Sequence, residues 1–182
     1  MCFLLETSRL SLRPPQERDI PAIVTWIGDW DVAKYVARAP HPYTEAHGRD
    51  FILEAGRDRA LGQGFSFAFI RKEDGVLVGM GGVHLREDGF ELGYWLGKPF
   101  WGQGYASEAA LRLVEFAFHD LKLERIGAAF HQDNQPSGHV LAKLGFVPVG
   151  TGPRDCLARG EKVLCNLVEL RRSEFRQKKK AA

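Results

Sequence analysis

The sequence predicts an α/β fold: a mostly antiparallel, mixed and twisted β-sheet flanked by helices. Three observations carry this expectation. Helix-period patterning dominates the N-terminal third of the chain. From Phe65 the pattern changes to strands joined by short turns at Asp74-Gly75 and Asp88-Gly89, which imply an antiparallel meander. A glycine-bracketed turn around Gly102 and Gly104 then separates a strand-like run from a strongly amphipathic helical run.

Taken in order, Leu10-Ser11-Leu12-Arg13 alternates at period two and stops at Pro14-Pro15, as a strand does. Asp19 stands where it can cap a helix whose apolar positions Ile20, Ile23, Val24 and Ile27 follow the helical period, with Pro21 in the first turn. A second short helix is expected over Trp30 to Ala37. Pro40 and Pro42 break the chain, and Thr44 opens a helix to Leu61. These helices are expected to form one wall of a cleft. Strands follow at Phe65 to Ile70, Val76 to Leu85 and Phe90 to Leu96. After the glycine turn, Ala106, Ala109, Ala110, Leu113, Val114, Ala117 and Leu121 make a single-face stripe. Ile126 to Phe130 reads as a buried strand, Ser137 to Leu144 as a helix ended by Gly145, and Val163 to Leu170 as a late strand. Gly150 to Gly160 reads as a loop, where Arg154, Asp155 and Arg159 either meet a substrate or are solvated. The polar segment from Arg171 to Ala182 is expected to fray.

With 182 residues, 45% hydrophobic and 26% charged, the chain fits one domain over residues 1–171, large enough to enclose a cleft, followed by a basic tail over 172–182. The net charge of +2 is unevenly placed: from Glu169 onward six basic and two acidic side chains give +4, leaving −2 for the rest. A domain-wide nucleic-acid surface is not indicated. Cys2, Cys156 and Cys165 are odd in number and form no Cys-x-x-Cys pair, so neither a disulfide framework nor a structural zinc site is expected, and no metal is assigned. The absence of a leader-like N-terminus and of any long apolar run points to a cytoplasmic protein with no membrane partner.

The glycine turn carries the most chemistry. Phe100 to Ala109 places unpaired backbone N–H groups at a helix N-terminus, where they can hold an anion such as a pyrophosphate, and glycine lets that anion reach the backbone. A P-loop needs Gly-Lys-Ser/Thr, but the nearby Gly97-Lys98 is followed by Pro99. A Rossmann fingerprint wants glycine where Ser107 stands, and Glu124 precedes the next strand instead of ending it.

The segment resembles the coenzyme A-binding region of the GNAT acetyltransferase superfamily, in the branch of ribosomal-protein N-terminal acetyltransferases, RimJ/RimL-like. The residues carrying the likeness are Glu91-Leu92-Gly93-Tyr94-Trp95-Leu96, Trp101-Gly102-Gln103-Gly104-Tyr105-Ala106-Ser107-Glu108-Ala109, and Asp133-Asn134-Gln135-Pro136-Ser137 with Val140 to Phe146. Thr7 to Pro14 is similar to the opening strand of that branch, so the likeness spans nearly the whole chain.

The resemblance implies acetyl-CoA as cofactor, coenzyme A as product, and a cleft between diverging central strands. Trp101, Gly102, Gln103, Gly104, Tyr105, Ala106 and Ser107 would form the pyrophosphate loop. Trp101 stands where much of the superfamily has Gln or Arg; it would pack on the coenzyme or close the core, packing being its default role. Tyr94 and Leu96 would dock the pantetheine arm through their backbones, and Asn134 would lie near the same arm or cap the following helix. Glu91 matches the acid often found there and fits either a general base or a cross-strand ion pair, with His131, His84 and Glu108 in reserve. Glu108, in a first helical turn, is favoured there for dipole reasons alone. The tyrosine that many members use as general acid is Leu141 here, which leaves Ser137 as acid or as a helix cap.

The function implied is transfer of acetyl from acetyl-CoA to a primary amine, a protein N-terminus or a small molecule, by direct attack in a ternary complex. Acetylation of a small metabolite or antibiotic amine is the rival acceptor class, and a non-catalytic acyl-CoA-binding module is the rival without chemistry. A homodimer is also open, though the sequence offers no interface.

Overall fold

The computed structural model describes residues 4–175. Among these, eight strands form one sheet: β1 (Leu5–Glu6), β2 (Leu10–Arg13), β3 (Gly64–Arg71), β4 (Leu77–Arg86), β5 (Gly89–Leu96), β6 (Arg125–His131), β7 (Val147–Cys156) and β8 (Glu161–Arg171). Their spatial order is β1-β2-β3-β4-β5-β6-β8-β7. Every neighbouring pair is antiparallel except β5 and β6, which run parallel and pair only at Glu91↔Gly127 and Leu92↔Ala128. The mixed, mostly antiparallel sheet expected from the sequence is therefore what forms.

Period-two alternation sends each strand's side chains to opposite faces. Phe65, Phe67 and Phe69 of β3 join Leu92 and Leu96 of β5 in one buried cluster. That face is covered by α4 (Tyr105–Glu115), whose Ala109, Ala110, Leu113 and Val114 are fully buried, and by α5 (Gln135–Leu144) through Leu141. Ala68, Leu77 and Met80 face the other way, onto Ile23 and Ile27 of α1 (Ile20–Ile27) and Val32 of α2 (Trp30–Ala33), with Phe51 of α3 (Glu45–Leu61) and Trp95 at the margin. At Gly138 a Cβ would lie 2.7 Å from the Phe130 ring, so glycine is what lets α5 settle onto β6.

Several local expectations change. Asp19 does not cap α1: its side chain accepts from both Arg13 Nη atoms at 2.7 Å and from the Gln16 N–H at 2.8 Å, closing a tight turn ahead of the helix. The pair is nearly buried, and a guanidinium outcompetes a backbone N–H for a carboxylate. The helix at Trp30 ends at Ala33 and does not reach Ala37. The stripe after the glycine turn leaves α-helical geometry at Phe116 and continues as a single π-turn to Asp120. Gly150 to Gly160 is largely strand: β7 runs to Cys156 and pairs along β8. The chain after β8 does not fray at once, because Phe175 packs on Phe118 with ring centroids 5.4 Å apart. The remainder of the expected tail, 176–182, lies outside the described residues.

Candidate active site

The short β5–β6 pairing opens the sheet. Gly97 N–H donates to Val78 O, so odd-numbered residues at this end of β5 face β4 with their backbone groups, and Tyr94 and Leu96 face the gap. Of these two expected docking residues, Leu96 gives its carbonyl to Trp101 Nε1 at 2.9 Å. The Tyr94 backbone and the Leu96 N–H remain for a ligand. Of its two expected roles, Trp101 does not close the core: it is 43% exposed and lines the cleft, held there by that hydrogen bond.

Immediately after β5 comes the glycine turn. Gly102 and Gly104 have φ of 73° and 82°, a region that disfavours side chains, and Gly104 is the N-cap of α4 with no side chain to offer. The first helical bond is Glu108 N–H to Gly104 O, so the N–H groups of Tyr105, Ala106 and Ser107 have no acceptor within the helix. Trp101, Gly102, Gly104, Ala106 and Ser107 line the cleft. Two loop residues turn their side chains elsewhere: Gln103 Nε2 donates to Pro99 O, and the Tyr105 ring is buried. They can serve a ligand only through their backbones.

Across the gap, Asn134 caps α5 by accepting from Ser137 N–H at 3.4 Å and also lines the cleft. Ser137 is thereby released from capping, and its hydroxyl lies 3.2 Å from the Tyr94 phenol oxygen. Burial pushes the Tyr94 phenol up to about 12, against the opposing bond from Ser137, so it stays protonated at neutral pH. This side chain was missed in the sequence, where Tyr94 was assigned a backbone role. Its shared parity with Leu92 and Leu96 was the available signal, since it puts all three on the α4–α5 face.

Glu91 has the opposite parity and faces the α1–α3 side. Arg154 of β7 reaches it, Nη2 to Oε1 at 2.7 Å, and both line the cleft. The ion-pair role is therefore present, in a position that also fits a base. Arg154 is the residue that the loop reading misplaced. Arg159 is likewise engaged, donating to Asp133 Oδ2 and to Lys34 O, both at 2.9 Å, while Asp155 is exposed. Among the reserves, Glu108 is tied to the N-terminal segment and His131 is buried with Nδ1 unpartnered. Burial, helped by Arg159, lowers the His131 pKa. His84 is pushed down to about 4, by burial first and Arg86 second, with Asp58 and Glu54 opposing.

The cleft spans about 1590 Å³ and passes from the glycine turn to α3. That exceeds the roughly 300–1,000 Å³ usual for one small ligand, which fits two reactants meeting.

Residues 9–147 match the family described as acetyltransferase (GNAT) domain. The chain belongs to the GNAT acetyltransferase family. It is an N-acetyltransferase of that family, similar to the uncharacterized N-acetyltransferase p20 of Bacillus licheniformis, 34% identical over 80% of this chain and 83% of the relative. It also resembles the [ribosomal protein uS5]-alanine N-acetyltransferase of Escherichia coli, 26% identical over 80% and 79% of the two chains. Mycobacterium smegmatis RimJ, solved in complex with CoA-disulfide, shares the fold with a TM-score of 0.82 at 22% identity, over 97% of this chain and 89% of that one.

GNAT acetyltransferases use acetyl-CoA, and the residues of this GNAT enzyme fit it. The helix start is uncapped, its two glycines have positive φ and open space stands beside Gly102, which suits an anion, and the open edge beside Tyr94 suits an amide-bearing arm. No helix among the described residues is long and apolar enough to cross a membrane.

Gly104→Val should weaken acetyl-CoA binding at least tenfold, because a β-branched residue resists φ of 82°. Calorimetry on the folded variant checks it, and unchanged affinity removes the loop from the binding site. His84 sets a pH expectation. Its folded-state pKa lies below the unfolded value, so the unfolded chain takes the proton first; stability is complete above about pH 6.5 and is lost as the pH falls towards 4. Denaturant unfolding at pH 7 and at pH 4.5 should show wild type losing on the order of 2 kcal/mol more than His84→Gln.

Proposed function

We propose that this GNAT enzyme moves acetyl from acetyl-CoA to the N-terminal amine of a protein or peptide by direct attack in a ternary complex. The observation that carries the proposal is the passage of one cleft through the splayed sheet. The glycine loop and the Ser137–Tyr94 pair lie on one face, and Glu91 on the other. An amine entering from the α1–α3 side meets Glu91 before it reaches the cofactor side.

The cofactor, when bound, supplies an activated acetyl thioester; the chain supplies position and proton handling. The Gly102 to Ser107 turn would hold the pyrophosphate, and the Tyr94 backbone would hold the arm. Glu91, directly or through a water, takes a proton from the incoming ammonium, and Arg154 fixes its carboxylate. Ser137 would give its proton to the departing thiolate, making it a thiol, and recover one from solvent, while the protonated Tyr94 phenol keeps that hydroxyl aimed. Cys165, the cysteine in the cleft wall, is buried and its pKa is raised by that burial, with its Sγ on Val163 O. It is held as a thiol, which supports direct attack over a covalent enzyme intermediate.

Asp50, Glu54 and Asp58, spaced four apart on α3, line the acceptor half. Glu54 is already paired with Arg38, so Asp50 and Asp58 are the carboxylates that favour an acceptor arriving as a cation. The ribosomal-protein enzymes among its relatives support a protein N-terminus. Two buried free thiols, Cys156 and Cys165, support a reducing, cytoplasmic setting.

An acceptor panel of peptides with free N-termini and small amines, read by mass spectrometry with thiol release, tests the proposal. Acetylated peptides support it. Acetylation of small amines alone overturns the acceptor class, and tight acetyl-CoA binding without turnover on any acceptor makes the chain a binding module.

Glu91→Gln should leave acetyl-CoA affinity near wild type while turnover falls roughly 10²–10⁴-fold. An unaltered turnover and pH–rate profile moves the base to His131 or water. Ser137→Ala should cut turnover about 10²-fold, with Tyr94→Phe reproducing part of the loss. Because Asn134 is the cap, unfolding stability should barely move; a loss near 1 kcal/mol with intact turnover makes Ser137 structural.

A further inference from the structure

Glu108 poses an electrostatic problem for the cofactor reading of the glycine loop, on which this inference rests. It is the fourth residue of α4, within about one turn of the N–H groups that would hold a pyrophosphate. A bare carboxylate there would compete with the ligand for those donors and repel its charge.

The structure turns both oxygens away. Oε1 accepts from Thr7 Oγ1 at 2.6 Å, Ser8 Oγ at 3.0 Å and the Arg9 N–H at 2.8 Å. Oε2 accepts from Arg9 Nε at 2.7 Å, with the charged Nη2 of the same side chain at an equal distance. The same guanidinium donates from Nη1 to Gln103 O at 2.9 Å and lies 4.4 Å above the Tyr105 ring. Its Nη2 sits 3.4 Å from where a Cβ on Gly104 would stand. One side chain therefore touches the loop before, at and after its N-cap.

We propose that Arg9 is a positioning residue for cofactor binding, an electrostatic shield that cancels the Glu108 charge beside the phosphate loop while pinning the Gln103–Tyr105 turn. Thr7, Ser8 and the Arg9 N–H hold Oε1 without that guanidinium. Removing the Arg9 side chain thus exposes the charge without freeing the strand. Burial pushes the Glu108 carboxyl up, but bonds from Thr7, the Arg9 backbone and side chain, and Ser8 outweigh it and hold the group below the usual range. At neutral pH it is an anion, and the shield is needed.

Titration of the whole protein with coenzyme A by calorimetry, at about 20 mM and about 500 mM salt, tests this. Arg9→Ala should weaken binding roughly tenfold at low salt, and the deficit should shrink at high salt. Arg9→Lys should stay close to wild type, and Arg9→Ala with Glu108→Gln should recover most of the loss. Glu108→Gln alone should bind at least as tightly as wild type. A purely mechanical clamp would leave Arg9→Ala and the double variant equally weak at both salts, which overturns the shield. Unchanged affinity in Arg9→Ala overturns it as well. Should Arg9→Ala not fold, Glu108→Gln decides, since weaker binding there contradicts the inference. Wild type failing to bind coenzyme A instead overturns the cofactor reading, and the inference with it.

Discussion

The sheet runs on from β5 to β6 through two residue pairs alone, and the cleft depends on where that pairing stops. β5 and β6 meet at Glu91 and Leu92, and beyond that point β5 continues with β4 alone while β6 continues with β8. A parallel pair needs a crossover, and α4 provides it, so a helix N-terminus is delivered to the carboxyl end of β5 where the strands part. The cleft follows from the connectivity. Its energetic cost is a strand edge with unpaired backbone groups, which would be unfavourable if buried dry. Trp101 satisfies the Leu96 carbonyl, and the rest of the edge stays available to a ligand.

The helix ends show how selectively this openness is placed. Thr44 caps α3 and Asn134 caps α5 with their side chains, and both helices end on left-handed glycines, Gly62 and Gly145. α4 begins on a glycine that offers nothing. A cap contributes about 1 kcal/mol, and forgoing it is tolerable because Ala109, Ala110, Leu113 and Val114 are wholly buried and tertiary packing holds the helix. The one acid in that first turn is tied back by Arg9. Donors are left free at the glycine turn, whereas α2, α3 and α5 each begin on a residue whose side chain accepts from the first turn.

Much of the scaffold and the glycine turn was legible because their signals are local: period-two strands, a glycine-bracketed turn and a single-face helical stripe. β7 was not. Two prolines, two glycines and side chains mostly open to solvent erase its alternation, and only pairing with β8 makes it a strand. Asp19 misled for a related reason. Its position before Ile20 is that of a cap, but Arg13, six residues earlier, offers a stronger partner. The pairs that complete the site lie farther apart still: Tyr94 and Ser137 are separated by 43 residues, Glu91 and Arg154 by 63, and Arg9 and Glu108 by 99. No local periodicity encodes such meetings. They follow from strand order.

The same distinction explains why the reaction is easier to read than the acceptor. The half proposed to hold the cofactor is built around one continuous stretch, from β5 through the glycine turn into α4. The acceptor half is assembled from pieces distant in sequence. The tip of the β7–β8 hairpin docks on the segment after α2: Leu157 N–H donates to Ala37 O at 3.0 Å, and Cys156 Sγ and Arg159 Nε both reach Lys34 O. Tyr35 adds its ring edge to His131 at the end of β6. That wall depends on hairpin length and on the short α2, features that can vary without disturbing the sheet. A change of acceptor therefore requires no change in the residues that mark the chain as an acetyltransferase, and those residues carry correspondingly little information about what is acetylated.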